Sequence, residues 1–116
     1  MAIYTKHTLS GTPASGRQIK VAATSSSGTT IHTADASATD EIWIYATNSS
    51  TADINLTIEF GGTTDPDDLI QLSVPGKAGL TLVIPGLILT GGLLVRAYAG
   101  TANVIMLSGY VNRITT

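Results

Sequence analysis

The segment "ADINLTIEF" (52–60) alternates with period two: Ile54, Leu56, Ile58 and Phe60 project one way, and Asn55, Thr57 and Glu59 the other. Such alternation suits a pleated strand with one buried face and one wetted face. Further strand patterns lie at 17–24, 29–34, 41–48, 69–74, 79–85, 93–99 and 103–111. Turn-forming stretches separate them, among them "SSSG", "NSST", "GGTTDPDD", "PGKAG" and "TGG". Helical periodicity of useful length is absent. The pattern predicts one all-β domain over residues 17–116, an antiparallel β-sandwich of about eight strands, jelly-roll or immunoglobulin-like. Residues 1–16 are polar and punctuated by Gly11, Pro13 and Gly16. They read as an extended N-terminal arm that a partner could order.

The strand "EIWIYATN" (41–48) raises a question of its own. Ile42, Ile44 and Ala46 occupy its inward face, which leaves Trp43, the single tryptophan, and Tyr45 pointing outward. An outward Trp–Tyr pair needs a cover. Either a loop or the arm lies over it, or another chain does. Two-sided apolar character recurs in "LIQLSV", "LLVRAYA" and "NVIMLSGYV". Strands apolar on both faces in so small a domain point to oligomerisation or to docking on a larger lattice. The candidate interface residues are Trp43, Tyr45, Tyr98 and, in the arm, Tyr4.

Composition removes several function classes. No cysteine is present, so disulfides, thiolate metal sites and cysteine nucleophiles are excluded. Charged residues make up 12% of the chain, about half the usual share. Lys6, Arg17, Lys20, Lys77, Arg96 and Arg113 are scattered singly, and the net charge is −2. Neither nucleic acid nor an anionic membrane surface is an expected partner. The apolar run "LTLVIPGLILTGGLLV" is broken by Pro85, Gly86, Gly91 and Gly92, so no membrane span is expected. The N-terminus has no hydrophobic segment of the secretory kind, and no signal peptide is expected. A surface of Thr, Ser, Gly and Ala suits a protein held at high local density.

No chemical motif stands out. His7 and His32 lack a second ligand at metal-like spacing. A Ser/His/Asp set could be drawn with His32 and Asp35, but no nucleophile elbow accompanies it. Paired carboxylates for glycoside hydrolysis would need Asp40, Glu41, Asp53 or Glu59 in a cleft. The loop holding Asp65, Asp67 and Asp68 reads as a solvated turn before a Ca²⁺ site. The expectation is a non-enzymatic protein without catalytic, metal or cofactor residues.

The stretch "IHTADASATDEIWIYATNSSTADINLTIEFGG", with the closing "NVIMLSGYVNRIT", resembles small β-sandwich structural proteins of tailed bacteriophage virions. The resemblance covers most of residues 17–116 and lies in pattern and composition. It implies a capsid decoration (cement) protein, located in the virion and bound to the major capsid protein or other virion proteins. It also implies a homo-oligomer, with a trimer favoured. A neck, tail or fibre component is the alternative within that class. From the exposed aromatics themselves, a carbohydrate-binding module is the alternative outside it.

Overall fold

The computed structural model describes residues 2–13 and 15–116, which form nine strands and no helix. In chain order these are β1 Ile3–Thr8, β2 Ile19–Lys20, β3 Thr29–Thr33, β4 Thr39–Asn48, β5 Ile54–Phe60, β6 Leu69–Val74, β7 Thr81–Leu89, β8 Leu94–Ala99 and β9 Ile105–Thr115. Sheet A runs β1-β9-β4-β7, with β2 also on β9, and sheet B runs β3-β8-β5-β6. All pairings are antiparallel.

The pairings are nested. β5 pairs with β6, β4 with β7, β3 with β8 and β2 with β9. The chain is therefore one long hairpin, its tip at the 61–68 loop, rolled until β4 meets β9 and β5 meets β8. That is a jelly roll, one of the two sandwiches expected. Side chains of one parity fill the space between the sheets. Ile42, Ile44, Leu56, Ile58, Ile84, Val95, Ile105, Leu107 and Val111 are completely buried there.

Several sequence expectations change in detail. The arm contains a strand, because Ile3–Thr8 pairs with Tyr110–Thr115 of its own chain. All six of its residues are exposed. The expected strand 17–24 shrinks to two residues, because the chain leaves sheet A after Lys20 to cross towards β3. Val21 stays tied to β9 through its N–H to the Ile105 carbonyl at 2.9 Å. Pro85 and Gly86 do not end the strand expected at 79–85, and β7 continues to Leu89. The register against β4 slips once at Gly86, beside Pro85, and again at Val83.

The wet face assigned to β5 is wet only in part. Asn55 is exposed, whereas Thr57 and Glu59 are buried. The loop before β3 lies over this end of sheet B, and the Glu59 carboxylate accepts Ser26 Oγ at 2.6 Å and Gly28 N at 2.7 Å. These donors satisfy a buried carboxylate that would otherwise be prohibitively costly. Asn48 does the same for the β4–β5 turn. Its side chain donates to the Ala52 and Val74 carbonyls and accepts from Ser50 N and Oγ.

Truncating the centre of this core creates a cavity that rigid sheets cannot close. Ile44→Ala should cost about 2–5 kcal/mol by denaturant unfolding, whereas Tyr4→Ala, at a side chain 70% exposed, should stay within about 0.5 kcal/mol.

Candidate functional site

The outer face of sheet A gathers most of the large side chains that the core does not use. Trp43 lies directly opposite Tyr110 on β9 and Pro85 on β7. Its ring stacks on Tyr110, with centroids 6.2 Å apart and planes 14° from parallel. Its Nε1–H donates to Glu41 Oε1 at 2.8 Å, and Asn112 Nδ2 donates to the same oxygen at 2.9 Å. These two bonds, Trp43's first, hold the Glu41 carboxyl below its ordinary range. Lys6 of β1 reaches over the Tyr110 ring at 4.8 Å from its centroid.

The six-membered edge of the indole presses on Gly86. A Cβ there would come within 2.7 Å of Trp43 Cζ2, and Gly86 has φ +81°. Both facts require glycine. The tryptophan is thus half-buried by its own sheet. From the arm, Lys6 reaches the Tyr110 ring on which the indole stacks.

What stays open is the edge beside it. Leu82 and Ile88 sit across from Tyr45 and Glu41 on this face and are 45% and 57% exposed, with Leu80 at 63% just before the strand. Leu87 is also exposed. Of the four expected interface residues, Trp43, Tyr45 and Tyr4 share sheet A. On β1, Tyr4 lies opposite Ile114, on the outer face. Tyr98 lies on the other side of the molecule, opposite Thr57 in sheet B. Tyr110, in a strand read as apolar on both faces, and the exposed side chains of β7 are not among those four. The signal was the run "LTLVIPGLIL", which reads as interrupted at Pro85 unless an edge strand with bulges is considered.

The most concentrated polar chemistry lies inside. Asp40 is completely buried and accepts Arg113 Nε at 2.8 Å, Arg113 Nη2 at 3.1 Å, His32 Nε2 at 2.8 Å and the Asp35 N–H at 3.2 Å. His32 is equally buried, and its Nδ1 accepts the Ser10 backbone N–H at 3.1 Å. That bond leaves the proton on Nε2, facing Asp40. The serine hydroxyl is elsewhere, accepting Thr33 N at 2.8 Å. A Ser/His/Asp set drawn with Asp35 is therefore not assembled. Asp35 uses its carboxylate on Ala38 N and Ser37 N, which, in that order, lower its pKa. The bonds from His32 and Arg113 tie β3, β4 and β9 together around the buried Asp40.

The remaining candidates are dispersed. Asp68 folds back on its own turn, accepting Thr64 N at 3.0 Å. Among the described residues no three His, Asp or Glu side chains converge on a common cation position. A shallow depression of about 300 Å³ lies on sheet B between Asn55, Thr57, Gln71 and Ser73. Comparison with protein-family models, curated proteins and solved structures returns no match to this chain.

The Asp40 clamp has a pH signature. Burial pushes its carboxyl up, but the hydrogen bonds from Arg113 and His32 outweigh this and bring it from 3.8 to about 2. A depressed folded pKa stabilises the fold above the unfolded value and loses that stabilisation as pH falls through the folded one. Stability should therefore drop by about 2 kcal/mol between pH 4 and pH 2 through this group. Thermal melts across that range should show the fall in the native protein and a flatter profile in Asp40→Asn. Asp35 and Glu41, whose carboxyls are also lowered, contribute slope of the same sign in that variant.

Proposed function

We propose that this protein is a non-enzymatic structural component of a virion, a decoration subunit that binds and stabilises a phage head. The observation that carries the reading is the apolar margin of sheet A. Leu80, Leu82 and Ile88 stand open in a row beside the half-buried Trp43 and Tyr45. Large apolar side chains gathered on one edge, on a protein with so few charges, suit adhesion to another protein surface.

Two further points support it. The polar groups with chemical potential, His32, Asp40 and Glu59, are closed into structural bonds. Jelly rolls recur in viral capsid and lectin domains, an analogy of fold that raises the reading without carrying it. The saccharide-platform alternative is weakened at Trp43, whose N–H and ring edge are engaged by Glu41 and Gly86.

In this reading the mechanism is burial. Contacts between the β7 margin and the shell's major capsid protein, at interfaces on the order of 1,200–2,000 Å², remove apolar surface from water. Repetition over a lattice converts modest single contacts into lasting attachment. Co-sedimentation with shells that lack the protein tests it. The native chain should bind, and Leu82→Asp with Ile88→Asp should abolish binding while leaving the melting temperature within a few degrees. A native chain that stays in solution would sink the reading.

A further inference from the structure

The two sheets present four edges, and three of them are blunted in the ways sheets avoid pairing with strangers. β7 carries Pro85, which has no N–H, and two register shifts. β3 is broken by a shift between Thr30 and His32. β1 carries Lys6 and is exposed throughout. The fourth edge, β6, has none of these devices. Its six residues, "LIQLSV", hold an unbroken register with β5 from Leu69 to Val74, without proline, glycine or charge.

The burial pattern shows the same openness. Ile70 and Leu72 point into the sandwich, opposite Ile58 and Leu56, which are completely buried. Ile70 and Leu72 themselves are only half-buried. Their exposed flank is the one a further strand would cover. Among the described residues, no backbone hydrogen bond joins Ile70–Ser73 to anything beyond β5.

We propose that β6 pairs antiparallel with β6 of a second copy, joining two four-stranded sheets into one continuous sheet. The occupant is a second copy because the segment is complementary to itself. A two-fold axis requires inward residues to face inward residues, since strand side chains alternate with period two. With the axis at Gln71, each Ile70 meets the second copy's Leu72, and the two Gln71 amides, each both donor and acceptor, face one another on the outer side. No like charges oppose across that axis, because the nearest carboxylate, Asp68, falls opposite the second copy's Val74. The pairing goes beyond the proposed function and needs no shell. It makes the unit a dimer, where the family resemblance implies a trimer.

Light scattering across a dilution series tests it in solution, apart from any shell binding. The native chain should give a dimer mass that falls to monomer on dilution. Gln71→Lys should weaken the association at least about tenfold by opposing two ammonium groups, with the monomer's fold unchanged by circular dichroism. The absence of native cysteine permits a positive test as well. Gln71→Cys should form an intermolecular disulfide under mild oxidation, and Thr101→Cys, at an exposed site, should not. A native chain that is monomeric at every concentration would overturn the proposal. So would a dimer indifferent to Gln71→Lys, which would place the contact on another surface.

Discussion

The ladder between β4 and β9 is the constraint on which the rest of the molecule depends. It joins ten residue pairs, from Thr39 opposite Ile114 to Asn48 opposite Ile105, and it is the contact that rolls the long hairpin shut. Its two faces have different tasks. Inward, Ile42, Ile44 and Ala46 meet Val111 and Leu107 in the core. Outward, Trp43 stacks on Tyr110. The strands approach so closely at Ile44 and Gly109 that any side chain at 109 would strike the Trp43 carbonyl. At one end the ladder is locked by a buried ion pair, Asp40 with Arg113. Removing Arg113 would leave the buried Asp40 carboxylate with only His32 and the Asp35 N–H as partners, whereas removing Asp40 would leave the part-exposed Arg113 facing Asp35 at 3.6 Å.

The same economy governs the polar groups. Asp40, Glu59, Asn48 and His32 are the buried residues one would examine first for chemistry, and each is bonded by neighbouring backbone or side-chain groups. They hold crossings: Glu59 the loop over sheet B, Asn48 the β4–β5 turn, Asp40 and His32 the entry from the first strand. No buried side-chain nitrogen or oxygen among the described residues lacks a partner. Uncommitted interaction capacity lies instead at the rims, in the apolar margin of β7 and the unblunted backbone of β6.

Much of this was legible in the sequence because alternation is a local signal. Ile42, Ile44 and Ala46 had to share a face, and Trp43 with Tyr45 the opposite one, whatever the topology. The parts that were not legible depend on who lies next to whom. Glu59 reads as a solvent-facing residue in "INLTIEF", and only the passing of Ser26 and Gly28 buries it. His32 and Asp35 sit close in sequence, yet the histidine's partner is Asp40, selected by the crossing from β3 to β4. Pro85 and Gly86 look like a strand break, but an edge strand tolerates a missing N–H, and the indole of Trp43 needs the bare glycine. Tyr4 and the arm gave no strand signal, since β1 buries nothing and rests on its ladder with β9.

The claim that ties these features together is that the outer face and margin of sheet A form the working surface. Hydroxyl-radical footprinting of the protein free and bound to phage shells would test that claim most directly. The account predicts lower oxidation at Leu80, Leu82, Ile88 and Tyr45 in the bound state, with Tyr98 on the opposite sheet unchanged. Protection centred on Tyr98 and the neighbouring sheet B depression, with the β7 leucines as reactive as before, would contradict it.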